Sequence, residues 1–157
     1  MPRGPIVVGV DGSENSRQAL RWAAEEARLR DARVRVVHAW WLYPMLAEDT
    51  EAPHLTQDAI GAVQTFVKET LGEEHDVEVE VVAVQGQQAS AALVDAAKDA
   101  ELLVVGSRGA GGFSSLLLGS VSQQCAHHAP CPVAIVRRGL TENHPQHDAD
   151  AEAGEEP

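Results

Sequence analysis

Five short apolar runs punctuate this chain, and helix-like stretches separate them. The first, Ile6 to Val10, is continuous and rich in β-branched residues, as a strand buried on both faces should be. The others are Val34 to Trp41, Val77 to Val84, Leu102 to Val105 and Val133 to Val136. The first intervening helix starts at a Ser13 cap and runs to Arg30, with Ala19, Leu20, Ala23, Ala24 and Ala27 at helical spacing. The second covers Leu55 to Leu71, carries Ile60, Val63, Phe66, Val67 and Leu71 as its stripe, and stops at Gly72. An Ala-rich third helix covers Ala89 to Asp99, and a short fourth covers Ser120 to His128. In the third apolar run, Val77, Val79 and Val81 alternate with Glu78 and Glu80, which predicts an edge strand with one face in water. Strict alternation of strand and helix predicts an α/β domain with a parallel sheet and right-handed crossovers. Ligands in such folds sit beyond the carboxyl ends of the strands, where the strand order reverses. That directs attention to Asp11, Ala39 and the segment from Gly106 onward.

Charge narrows the range of partners. The 157 residues hold 12 Lys and Arg against 24 Asp and Glu, for a formal charge of −12. Such a chain is a poor general binder of nucleic acid or anionic membrane, both of which call for a basic surface. Half of the excess lies beyond Leu140, in Glu142, Asp148, Asp150, Glu152, Glu155 and Glu156, with no Lys or Arg among them. Residues 1–138 therefore read as one folded domain, and 139–157 as an acidic tail without a packed structure. Cys125 and Cys131 lack metal-site spacing and read as small, mostly buried, reduced residues. No run approaches the ~20 apolar residues of a membrane span, and the opening lacks a signal-peptide pattern. The expectation is a soluble cytoplasmic protein.

The most informative segment is Gly106 to Ser122. Gly106, Gly109, Gly111, Gly112 and Gly119 place five glycines in 14 positions directly after a buried strand. Glycines allow close backbone approach to a ligand. Gly119 and Ser120 open a helix whose first amides have no intrahelical partner, so an anion can be held there without a basic residue. Neither G-x-x-x-x-G-K-S/T nor a G-x-G-x-x-G after the first strand is present, which argues against a P-loop NTPase and a NAD-binding domain.

The spacing G-x2-G-x9-G-S/T, the opening Ile6-Val7-Val8-Gly9-Val10-Asp11-Gly12-Ser13, Val37-His38-Ala39-Trp40 and Pro130-Cys131-Pro132-Val133-Ala134-Ile135-Val136 together resemble the ATP-binding branch of the universal stress protein family. The resemblance covers about Pro5 to Arg137. It implies a single-domain Rossmann-like α/β/α sandwich with a five-stranded parallel sheet in the order 3-2-1-4-5. It also implies site roles. Gly9, Val10 and Asp11 line the adenine and ribose end, and the Ala39 backbone meets adenine. Gly106, Ser107, Arg108, Gly109, Ala110, Gly111 and Gly112 wrap the ribose and α-phosphate. Gly119, Ser120, Val121 and Ser122 hold the outer phosphates. The implied ligand is ATP, with Mg²⁺ as a possible companion and Asp11 as its protein ligand. The implied partner is a second copy through the fifth strand, whose Val133, Ala134, Ile135 and Val136 carry no guarding charge.

The residues alone leave several roles open. Asp11 is either a ligand for ribose or metal or a turn former at the first helix. Arg108 is either a phosphate partner or a solvated loop charge. Trp40, Trp41, Tyr43 and Met45 either lid the site or fill a gap above the second helix. His38 reads as a satisfied core or rim histidine, and His127 and His128 as helix C-terminal groups. Arg28, Arg30, Arg33 and Arg35 read as charges solvating the end of the first helix. His144 and His147 read as part of a solvating tail. The functional expectation is an adenine-nucleotide-binding stress protein, a switch or regulator rather than an enzyme. A slow ATPase using Asp11 and a cyclic-AMP binder are the alternatives. A phospho-accepting receiver fits poorly, because Asp11 stands without an acidic cluster and no Lys follows the fifth strand.

Overall fold

The computed structural model describes residues 3–40, 52–109 and 118–137. The order of elements is β1 (Ile6–Gly9), α1 (Glu14–Arg30), β2 (Val34–Trp40), α2 (Ala52–Leu71), β3 (Val79–Gln85), α3 (Ala89–Ala96), β4 (Leu102–Gly106), α4 (Ser120–His128) and β5 (Val133–Val136). All the pairings are parallel, and the sheet order is β3-β2-β1-β4-β5. Ile6 stands between Val34 of β2 and Leu102 of β4. The carboxyl ends of β1 and β4 are therefore neighbours.

The sheet separates two apolar layers. On one face Ile6, Val8, Val10, Val34, Val36, Leu102 and Val104 meet the alanine stripe of α1 and Val63 and Val67 of α2. On the other, Val7, Val37, Leu103 and Val105 meet Ala92 and Leu93 of α3 and Cys125 of α4. Alanine at Ala19, Ala23, Ala24 and Ala27 lets α1 lie close on the sheet, and all four are buried. The helix starts where the sequence places it: Ser13 Oγ accepts from the Ser16 amide at 3.2 Å. It ends at Asp31, which adopts a left-handed φ of 51° that Asp tolerates better than most residues. Arg17 fastens α1 to α2, stacking 4.6 Å over Phe66 and donating to Thr70 Oγ1 at 2.9 Å.

Several boundaries differ from the expectation. β1 stops at Gly9, although Val10 still donates to Val37 O at 3.0 Å. β2 runs to Trp40, the last described residue there, and the expected end at Trp41 lies outside the described residues. α2 begins three residues early, at Ala52. β3 starts at Val79 rather than Val77, because the Val77 carbonyl bonds to the His75 ring at 2.8 Å. α3 stops at Ala96, where tight bonds such as Ala100 N to Ala97 O at 3.1 Å turn the chain toward β4. β4 extends one residue further, to Gly106, which pairs with Val136. β3 is an edge strand as expected, with Glu80 exposed, but Val82 and Val84 are partly buried against the α3 layer.

The arginine run does more than solvate a helix end. Arg28 meets Asp76, Arg30 meets Glu26 and Glu101, and Arg33 meets Glu80. Arg35 is the most enclosed of the four, with its side chain 14% exposed. It donates to both Asp99 oxygens at 2.7 and 3.3 Å, to Glu80 at 3.0 Å and to the Ala96 carbonyl at 3.0 Å. One guanidinium thus ties β2 to β3 and to the end of α3, and it holds the Asp99 carboxyl below the usual carboxylate range. The depressed folded value means that this stabilisation is present above the ordinary carboxylate pKa and is lost as pH falls through the folded value. Because Asp99 is largely exposed, Asp99→Asn should cost only about 0.5–1 kcal/mol at pH 7. In urea titrations the gap between wild type and variant should narrow as pH falls below the ordinary Asp value of about 3.9.

Candidate functional site

A cleft of about 520 Å³ opens at the carboxyl ends of the strands, within the range of small-ligand sites. It lies at the reversal point of the sheet: β1 leads into α1 on one face, and β4 leads toward α4 on the other. One wall is apolar, built by Val37 and Ala39 of β2, Val105 of β4 and Ala89 and Leu93 of α3. The opposite end is polar, formed by Asp11, Arg108, Gly109 and the start of α4.

The start of α4 has a defined geometry. Gly119 is its cap residue, with extended backbone, and among the described residues no side chain caps the helix. The first intrahelical bond runs from Gln123 N to Gly119 O at 3.1 Å. The amides of Ser120, Val121 and Ser122 therefore precede the hydrogen-bond ladder and carry the positive end of the helix dipole. α1 differs, because its own Ser13 side chain fills the equivalent place. α4 is pinned to the end of β4 by Gly119 N donating to Ser107 O at 2.7 Å. The buried Ser122 hydroxyl lies 3.1 Å from Ser107 O and 2.9 Å from Gly119 O, so its one proton is shared between two carbonyls.

Asp11 acts as the turn former at the start of α1. Its Oδ1 accepts from the Ser13 amide at 2.9 Å and from the Ser13 hydroxyl, closing a turn through Gly12 at φ 81°. Its Oδ2 faces the glycine loop, since a β-carbon built on Gly109 would stand 3.0 Å from it. The Ser16 hydroxyl, also in the cleft wall, donates to Ser13 O at 2.9 Å and braces the same turn.

Most of the residues expected at the site come together. Gly9, Val10, Asp11, Ala39, Gly106, Arg108, Gly109, Gly119, Ser120, Val121 and Ser122 all line the cleft. Ser107 does not. It is buried, and its backbone joins β5 through Val136 O at 2.9 Å and α4 through Gly119, so it braces the site from behind. The Ser122 hydroxyl is likewise turned to carbonyls, which leaves its amide as the group for a ligand. Ala110, Gly111 and Gly112 lie outside the described residues, as do Tyr43 and Met45 of the proposed lid and the acidic tail. Trp40 is not a wall of the cleft: it alternates with Ala39, so it stands on the opposite face of β2. His38 is satisfied, its Nδ1–H donating to Val10 O at 2.8 Å. His127 and His128 are exposed in the last turn of α4.

The sequence reading missed Val37, Val105, Ser16, Ala89 and Leu93. Strand periodicity gives a signal for Val37, two residues before Ala39. Helical periodicity gives one for Leu93, four residues after Ala89. Cys125 is buried, which pushes its thiol up to about 11, and burial raises Cys131 too. Burial thus disfavours the thiolate at both. Among the described residues no group of three or more His, Cys, Asp or Glu side chains is placed to hold a metal.

These features define a parallel α/β protein whose ligand cleft joins an apolar wall to an uncapped helix N-terminus. Comparison with known proteins identifies the group. The family model described as the universal stress protein family matches residues 2–137, and the chain belongs to that family. A universal stress protein of Mycolicibacterium smegmatis is 37% identical over 139 residues, covering 83% of this chain and 47% of that protein. The chain spans about half the length of the first curated relatives it matches. A universal stress protein from Archaeoglobus fulgidus, solved in complex with dAMP, is 29% identical, with a TM-score of 0.60 over 86% of this chain and 98% of that one. Another, solved in complex with cAMP, is 27% identical, with a TM-score of 0.61 over 87% and 98%. No helix among the described residues is long and apolar enough to cross a membrane.

The bracing role of Ser122 is testable. Ser122→Ala removes the hydroxyl shared by Ser107 O and Gly119 O and should lower stability by about 1 kcal/mol in urea unfolding.

Proposed function

We propose that this protein binds an adenine nucleotide, with ATP as the ligand, and acts as a nucleotide-dependent regulator in stress response rather than as an enzyme. The observation that carries this reading is the pairing, in one cleft, of an apolar wall with the uncapped first turn of α4. The wall suits a purine face. The amides of Ser120, Val121 and Ser122 suit phosphate oxygens, which a helix N-terminus attracts without a basic surface. This reconciles an anionic ligand with a chain of charge −12. Relatives of similar fold bound to dAMP and cAMP support the adenine nucleotide class. Gly109 and Arg108 would approach the phosphates from the glycine loop. A Mg²⁺ accompanying them would find Asp11 as its protein ligand.

Binding without turnover is supported by the side chains of the cleft. Among the described residues that line it, Asp11 is the one acidic group, and its Oδ1 is committed to the Ser13 turn. Assembly through β5 belongs to the same reading. β5 is an edge strand of four partly buried apolar residues, Val133 to Val136, with no charge to deter pairing.

Isothermal titration tests the reading. Proline is tolerated in a helix's first turn, and Gly119 already has the extended backbone a following proline requires. Ser120→Pro therefore deletes one phosphate-facing donor while keeping α4. It should weaken ATP binding roughly tenfold relative to Ser120→Ala, the scale of one charge-assisted hydrogen bond. Wild-type protein that binds no adenine nucleotide would refute the assignment. For assembly, light scattering should give a dimer mass at tens of micromolar, and Ile135→Lys should give a monomer.

A further inference from the structure

We infer that α3, through Leu93 and Ala89, sets the size of base that the cleft accepts, so that the protein selects an unsubstituted purine by exclusion. The inference rests on the adenine-nucleotide reading above and adds a residue-level filter to it. Leu93 is buried at 4% exposure, yet it forms part of the cleft wall. It reaches that place because Gly9 in β1 has no side chain. A β-carbon on Gly9 would stand 2.8 Å from Leu93 Cδ1 and 3.0 Å from Cδ2. The glycine is thus a socket that seats the leucine, and the leucine fixes the depth of the apolar end.

Ala89 lies four residues earlier on the same helix, and residues at that spacing share a face. It is partly exposed and also lines the cleft. Small at the first turn and large one turn deeper, this pair leaves entry open and closes the floor. Val37 and Ala39 of β2 and Val105 of β4 complete the apolar end. They stand on strands whose neighbours are fixed by the sheet ladder, so the wall cannot widen on that side. A planar base between these strands and α3 has an edge toward Leu93, and a bulky substituent on that edge has no space. Leu93 also packs against the buried layer of Val7, Val37 and Leu103, which holds its rotamer.

The test is titration of the full chain and its variants with ATP, N6-benzyl-ATP and 8-bromo-ATP, with thermal melts to confirm folding. Two bulky analogues are used because either edge of the purine can face α3. Wild type should bind ATP and discriminate against at least one analogue. Leu93→Ala, or the milder Leu93→Val, should improve the analogue-to-ATP affinity ratio for that analogue by about tenfold, the scale of space for one or a few methylenes. Ala89→Leu, on a partly exposed first turn, should weaken ATP about tenfold with an unchanged melt. A folded Leu93 variant with an unaltered ratio for both analogues overturns the inference while leaving nucleotide binding intact. If neither Leu93 variant folds, Ala89→Leu decides, and wild-type ATP affinity in that variant overturns it. Wild type that binds none of the three nucleotides overturns both this inference and the reading it rests on.

Discussion

The position of β1 between β2 and β4 is the constraint on which the rest of this protein depends. Ile6, Val7 and Val8 are fully buried, and backbone ladders run on both sides. A strand so placed cannot shift by one residue without moving its side chains to the wrong layers. The alanine face of α1, the Leu93 contact and the ends of both ladders are therefore fixed together. The site inherits its location from this: β1 and β4 stop side by side, and their following helices diverge to opposite faces.

The second level of organisation is the bracing of the cleft. Two turns leave the sheet at this point, and each is closed from within. The Asp11–Ser13–Ser16 bonds fix the start of α1. The Ser107–Gly119–Ser122 bonds fix the start of α4. In α1 the cap residue's own hydroxyl satisfies the helix N-terminus. In α4 the cap residue is a glycine, and the serine three positions on turns its hydroxyl to carbonyls instead. The two helices thus begin differently, one capped by its own serine hydroxyl and one by a glycine that has none. Far from the site, the Arg35 cluster holds β2, β3 and α3 at the opposite ends of the strands, where no ligand is needed and charge can serve stability.

Much of this was legible in the residues, for identifiable reasons. Continuous apolar runs at Ile6 and Leu102 mark doubly covered strands, because a sheet buried on both faces tolerates no polar alternation. Ser13 and Gly72 marked helix ends through local chemistry alone, and both act there. The glycine spacing from Gly106 to Gly119 located the polar end of the cleft. The failures share a cause. The resemblance put Ser107 around the ligand, but it is buried and its backbone is bonded to Val136, Gly119 and the Ser122 hydroxyl. Arg35 read as a solvated charge, but Asp99 and Glu80 lie 64 and 45 residues away in sequence and reach it only in the fold. Leu93 was not singled out, because its contact with Gly9 crosses from α3 to β1.

The sequence by itself determined which segments are strands and helices and where the principal helix caps fall. These are short-range properties, set by side-chain periodicity, β-branching and glycine placement. The residues alone did not choose the order of the five strands; that order came with the family resemblance, and the ladders display it. Tertiary structure alone decided that the Ser122 hydroxyl turns to Ser107 O, that Asp11 Oδ2 faces Gly109, and that Leu93 seats against Gly9. Those properties depend on contacts between residues distant in the chain, and packing, not local pattern, selects among them.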